Sequence, residues 1–151
     1  MNYYQKSGGG RDGQFSGPRK DYRIASRFKP NWITKGVDDD CVDLCEELAK
    51  GMVSSKVSSS FLRNIFGEMR RIETGGFEGH RADFVLLRPK LAYSCGRAID
   101  RNKGAKDDLE ALQELYRLAA KEVANANGFK NLVSIMEAII AFHKANGGDD
   151  K

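Results

Sequence analysis

The chain has 151 residues, enough for one domain with an appended tail. Its content of 40% hydrophobic and 30% charged residues is typical of a soluble globular protein. The N-terminus is polar and the longest apolar runs have four or five residues, so the sequence predicts neither a signal peptide nor a membrane span. Three cysteines, an odd number, favour reduced thiols and a cytoplasmic setting.

Charge is unevenly distributed around the net value of +4. Residues 1–36 carry +6 and residues 63–106 carry +5, whereas residues 37–62 and 107–151 carry −4 and −3. Basic blocks that alternate with acidic ones predict an anionic partner that touches selected surfaces. Ordinary surface charge is the alternative interpretation.

Residues 1–36 predict a basic, Gly-rich flexible arm, with six of the sixteen glycines among scattered cations and aromatic residues. The first twenty residues show no helical or strand period, which favours a disordered tail. The same composition also occurs in flexible segments that contact RNA. Residues 21–36 are expected to dock on the domain through four apolar anchors, Ile24, Phe28, Trp32 and Ile33.

Helical spacing of apolar residues runs through residues 37–148 and predicts a compact all-α bundle of five or six helices. The three carboxylates of Asp38 to Asp40 favour a helix N-terminus. Ser59 or Ser60 is expected to cap the second helix, and Gly75 with Gly76 to end it.

Pro89 predicts the start of another helix, because proline lacks the N–H that would be unpaired there. A separate short helix is expected over about residues 80–87, and the Pro89 helix over about 89–101. Two amphipathic helices are expected near residues 107–124 and 128–145.

The Pro89 helix places four polar residues on one stripe, which are Lys90, Ser94, Arg97 and Arg101. A row about 16 Å long at 1.5 Å per residue suits two or three successive phosphates. On the preceding helix Arg63 and Arg70 form a second stripe, with Arg71 further round. Ion pairs with Glu68, Glu73 or Asp100 are the alternative for the arginines, and are less expected for the Lys90 row, which contains no acid.

The other reactive side chains favour structural roles. Cys41 and Cys45 lack further ligands at zinc spacing, so we expect buried thiols, no metal and no cofactor. His143 is expected to be a hydrogen-bonded core histidine. Tyr93 is expected to pack in the core, with base stacking as the alternative. No P-loop, dinucleotide fingerprint or serine elbow occurs.

Three segments together resemble the small subunit of the type III-A CRISPR effector, the Csm complex. They are FLRNIFGEMRRIE at 61–73, LRPKLAYSCGR at 87–97 and MEAIIAFHKANGG at 136–148. The second is close to the family's Pro-Lys-Leu-Ala-Tyr…Gly-Arg pattern, and the third to its Glu-Ala…His-Lys ending. Order and spacing match over about residues 37–148, whereas the Gly-rich arm departs from the family pattern.

The resemblance implies a non-catalytic helical subunit of an antiviral ribonucleoprotein. It would stack in several copies beside the other subunits and hold the crRNA–target RNA duplex through its phosphates. Matching positions carry RNA contact to Arg70, Lys90 and Arg97, and more weakly to Lys144, whereas Glu137 and His143 match as structural residues. Arg63, Arg71 and Arg101 join the candidate RNA contacts from the stripes alone.

Two rival functions stay open at this point. A free-standing helical nucleic-acid-binding protein directed at DNA would bind duplex DNA as a dimer and with sequence preference. An enzyme that uses Cys95 or His143 would lose turnover in Cys95→Ala without losing its fold.

Overall fold

A computed structural model describes residues 20–149, and the part of the predicted arm at residues 1–19 lies outside that range. Within residues 20–149 there are five long α-helices, two α-helices of one turn, two short 3-10 helices (Phe77–His80 and Lys103–Ala105) and no strand, which confirms the predicted all-α bundle. The short helices are α1 (Ile24–Arg27) and α2 (Asn31–Thr34). The long helices are α3 (Asp39–Ser54), α4 (Ser59–Gly75), α5 (Arg81–Arg101), α6 (Lys106–Lys121) and α7 (Ala126–Ala145).

The helix ends follow the expected capping chemistry closely. The Asp38 side chain accepts from the backbone N–H of Cys41 at the start of α3. Ser58 caps α4 in the same way, one residue before the position predicted from the sequence. Gly76 has a φ of 96° and ends α4, as expected for a glycine after a helix.

The expectation of two helices around Pro89 is wrong, because residues 81–101 form one continuous helix with Pro89 inside it. A proline inside a helix leaves the carbonyl four residues earlier without its N–H partner. That carbonyl belongs to Val85, a residue that is 66% exposed on the outer side of the helix. The helix therefore continues through a residue that favours a helix start in the sequence.

The core lies between α3, α4 and α7, with α6 completing it on one side. The apolar faces predicted for these helices are buried there, including Leu48, Met69 and Phe129. His143 is buried as expected, and its Nε2 lies 2.8 Å from the carbonyl oxygen of Val57. This contact ties α7 to the turn before α4.

Residues 20–36 pack against the bundle. Trp32 and Ile33 are fully buried, and Phe28 meets Trp32 edge-on at 5.5 Å between ring centroids. The anchors expected to dock this segment therefore do so. The division into an arm over residues 1–36 and a domain over residues 37–148 stays a prediction.

Candidate nucleic-acid interface

Helix α5 is fixed to the body at both ends, which sets the face that it presents to solvent. Near its start, the Phe84 ring lies 5.3 Å from Phe77 and 5.4 Å from Phe129. After its last turn, the side-chain amide of Asn102 donates to the carbonyl of Ser55 at 2.7 Å. Between these points one side of α5 is buried, through Leu87, Leu91 and Cys95.

The polar stripe predicted for α5 runs alongside this buried face. Lys90, Arg97 and Arg101 are exposed, and Ser94 is half-buried between them. All four lie beside a groove between α4 and α5 that consists of two adjoining clefts. The stripe therefore borders a concave surface, a feature that helical spacing alone does not predict.

The first cleft, which we call the Tyr116 cleft, has a volume of about 570 Å³. Its lining combines apolar side chains of the core edge with polar side chains of α4 and α5 and a tyrosine of α6. The lining residues are Asn64, Ile65, Glu68, Met69, Leu87, Pro89, Lys90, Leu91, Tyr93, Ser94 and Tyr116.

The second cleft, which we call the Arg101 cleft, has a volume of about 450 Å³ and shares Asn64, Tyr93 and Ser94 with the first. Of the residues that the structure describes, its lining holds three cations and no carboxylate. The cations are Lys56, Arg97 and Arg101. Hydroxyl and amide groups complete a surface suited to phosphate.

Lys56 was missed in the sequence because it lies alone in the turn after α3. Its φ of 66° places it in the left-handed region, which turns the chain back toward α4. The turn brings Lys56 to the same cleft as Arg97 and Arg101. No sequence spacing links residue 56 to residues 97 and 101, so only the tertiary structure joins them.

Glu68 neutralises part of the positive charge at the Tyr116 cleft. Its Oε1 lies 3.1 Å from Nη2 of Arg71 and 3.5 Å from Nζ of Lys90. The hydrogen bond from Arg71, followed by the charge of Lys90, holds the pKa of Glu68 below its usual value. Ion pairing, which is less expected for the Lys90 row because the row contains no acid, therefore does occur at Lys90, since the acid comes from the neighbouring helix.

Residues 37–149 match the family model described as Csm2 Type III-A. The chain belongs to this family. The resemblance seen in three segments of the sequence is thus confirmed, and the protein is a small subunit of a type III-A CRISPR effector. Searches of curated proteins and of solved structures yield no match.

The predicted RNA contacts on the other helices of this Csm2 chain lie away from both clefts. Arg70 pairs with Glu73 at 3.2 Å and lies over the Phe66 ring. Arg63 on α4 and Lys144 on α7 are exposed and line neither cleft. The structure thus brings Lys90, Arg97 and Arg101 together, whereas Arg63, Arg70 and Lys144 lie elsewhere on the surface.

Tyr93 corrects a sequence expectation. Its side chain is 66% exposed rather than packed in the core, since α5 turns it toward the groove. The guanidinium carbon of Arg97, one turn later, lies 5.8 Å from the centre of its ring. Base stacking, the alternative role for this exposed aromatic ring, stays a prediction.

The three cysteines are buried and free, as expected. Burial raises the pKa of the Cys95 thiol to about 12, so the thiolate needed for nucleophilic attack is disfavoured. Among residues 20–149, no three His, Cys, Asp or Glu side chains are grouped closely enough to hold a metal ion. In the same range, no helix is both long and apolar enough to cross a membrane.

Proposed function

We propose that this Csm2 chain is a non-catalytic RNA-binding subunit that holds the crRNA–target RNA duplex through its phosphates in antiviral defence. The observation that carries the proposal is the Arg101 cleft, where Lys56, Arg97 and Arg101 converge with no carboxylate among the described lining residues. Phosphate contacts position an RNA strand without reading its sequence, which suits a subunit that must accept any guide.

The placement of the reactive side chains favours contact with the RNA backbone over catalysis. Cys95 is buried with a raised pKa, and His143 is buried against a backbone carbonyl. Neither side chain lines the two clefts. These placements support a non-catalytic role and disfavour the rival enzyme that uses Cys95 or His143.

We expect one isolated copy to bind RNA weakly, because its cations meet only a few phosphates. Several copies on one strand would raise the overall affinity, since later contacts form at high effective concentration. Val85 and Leu86 on the outer face of α5 are 66% and 50% exposed and supply apolar surface for a further copy or another Csm subunit. The cytoplasmic setting stays a prediction.

The test is a double charge reversal, Arg97→Glu with Arg101→Glu, in a filter-binding assay with a crRNA-length RNA and its duplex. The matched control is Lys121→Glu with Lys130→Glu, which changes net charge equally at exposed residues that line neither cleft. We expect only the first variant to lose binding while both keep their helical circular dichroism.

Affinity should also fall steeply with salt and little with sequence. For single strands, the log–log salt slope should become less negative by about 0.7 for each phosphate that a variant no longer neutralises. Equal binding by the wild type and the Arg97/Arg101 variant would contradict the proposal.

A further inference from the structure

We propose that the Tyr116 cleft receives one unpaired nucleobase of the RNA strand whose phosphates lie along the α5 stripe. The inference rests on the proposed function, because the same strand must be held by Arg97 and Arg101. It adds a base-binding site to a surface that otherwise reads only the backbone.

The size and lining of the cleft suit a flat aromatic group with polar edges. Its volume of about 570 Å³ falls in the range of roughly 300–1,000 Å³ typical of small-molecule sites. Met69, Leu87 and Leu91 supply apolar surface for the faces of a base, and Asn64 and Ser94 supply hydrogen-bonding groups for its edges.

Tyr116 supplies an independent observation. Its side chain is only 3% exposed, and its hydroxyl has no hydrogen-bond partner among residues 20–149. A buried hydroxyl without a partner costs roughly 1–3 kcal/mol, so a ligand that pairs with it regains that free energy. Tyr116 also lines a second groove of about 530 Å³ together with Arg88, whose charge acts on Tyr116 without forming a hydrogen bond to its hydroxyl in the described structure.

Tyr93 stands at the rim of the cleft as a stacking platform. One side of its ring is approached by Arg97, and most of its surface is open. Since Tyr93, Ser94 and Asn64 line both clefts, one nucleotide can place its base in the Tyr116 cleft while a neighbouring phosphate lies in the Arg101 cleft. The base must lie outside the paired stack, either in a single-stranded stretch or flipped out of the duplex, because a base that is still paired and stacked cannot enter a pocket.

The test compares two strands of equal length on the full chain: a short RNA oligonucleotide and a fully abasic ribose-phosphate oligomer. The wild type should bind the intact RNA roughly 5- to 150-fold more tightly, the range that base–aromatic stacking provides. Tyr93→Ala should remove this preference and leave the salt slope unchanged, whereas Tyr93→Phe, which keeps the ring, should retain it.

Tyr116 has its own readout. Tyr116→Phe should weaken the preference for the intact strand over the abasic strand, because it removes the hydroxyl that pairs with the edge of the base, and it should leave the affinity for the abasic strand unchanged. An unchanged preference overturns the role of Tyr116.

The binding experiment distinguishes a failure of the proposed base site from a failure of the proposed function. Equal wild-type affinity for the intact and abasic strands overturns the base site while RNA binding stands. No binding of either strand overturns both. A free nucleoside monophosphate that binds as tightly as the intact strand overturns the assignment to an RNA base, since the cleft would then serve a free nucleotide.

Discussion

Glu68 is the residue that limits the positive charge of the groove. Its carboxylate accepts from Arg71 on its own helix and from Lys90 on the facing helix, at 3.1 and 3.5 Å. Because phosphate oxygens need the same donors, Glu68 competes with RNA for both cations. Among the described residues that line the Arg101 cleft, none is an aspartate or a glutamate. The positive charge of the stripe is therefore partly neutralised at Lys90, whereas no described acid lines the cleft at Arg97 and Arg101.

We expect Glu68→Gln to bind RNA more tightly than the wild type, by up to about fivefold. The estimate follows from the roughly 0.2–1 kcal/mol that an exposed ion pair is worth. The salt slope should also become more negative by about 0.7 for each additional phosphate that the variant neutralises on a single strand. Glu73→Gln is the matched control, since it releases Arg70 away from both clefts. An equal rise in affinity from the two substitutions would show that net charge alone acts.

Because of the ion pairs of Glu68, we expect the free energy of unfolding to depend on pH in the acid range. Hydrogen bonding from Arg71 and the charge of Lys90 lower the pKa of Glu68 below 4.5 in the folded protein. The stabilisation is therefore complete above about pH 4.5 and is lost as the pH falls through the folded-state pKa. The free energy of unfolding, measured with urea at pH 6 and at pH 3, should fall less on acidification in Glu68→Gln than in the wild type. A difference of the opposite sign would contradict the assignment.

At the scale of the element, α5 carries the candidate site and a proline within its length. Leu87, Leu91 and Cys95 hold the inner face, while the carbonyl of Val85 lacks the N–H that residue 89 would otherwise donate. Burial of the inner face thus outweighs the local cost of Pro89. The outer face of α5 is also partly apolar, because Val85, Leu86 and Tyr93 are exposed there.

We expect Pro89→Ala to stabilise the protein by up to about 3 kcal/mol, the cost of a proline inside a helix. The restored N–H can donate to the Val85 carbonyl, and alanine favours the helix. Urea unfolding followed by circular dichroism measures the change, with the exposed helical substitution Ala92→Ser as a reference of small effect. A loss of stability would mean that the bundle requires the bend that Pro89 imposes.

At the scale of the whole molecule, residues 20–36 are tied to the bundle by a buried polar cluster. Asp108 on α6 has no exposed surface, accepts from the Tyr22 hydroxyl, and lies 2.8 Å from Nζ of Lys20. Gly51 on α3 makes room for this cluster, because a Cβ there would collide with the Tyr22 hydroxyl and lie 2.6 Å from the Asp108 carboxylate. The segment lies before the residues that match the family model, yet it completes the core.

We expect Tyr22→Phe to lower the free energy of unfolding by about 1.5–3 kcal/mol, the worth of a hydrogen bond to a charged group. Gly51→Ala should detach the same segment by steric conflict. The single tryptophan, Trp32, is buried in this segment, so its fluorescence should shift to the red in Gly51→Ala. Tyr93→Phe is the matched control, because it removes an exposed hydroxyl. Equal stability of the two Tyr→Phe variants would contradict the role of Tyr22.

Much of the architecture follows from local patterns along the chain. Apolar residues at helical spacing, Asp38 before α3 and Gly76 after α4 determine the helices, because these interactions join residues that are close in sequence. The family follows from three segments, since their order and residue types persist in the primary structure. The core position of His143 and the burial of the cysteines follow from their place on apolar faces.

Contacts between helices decided the rest. Spacing placed Lys90, Arg97 and Arg101 on one stripe, but the pairing of Lys90 with Glu68 and the approach of Lys56 depend on how α4 and α5 pack. The same packing exposes Tyr93 and carries α5 through Pro89. The sequence by itself therefore determined which residues share a helix face. Only the tertiary structure decided which charges are neutralised and which rings meet solvent, because those outcomes depend on residues distant in the chain.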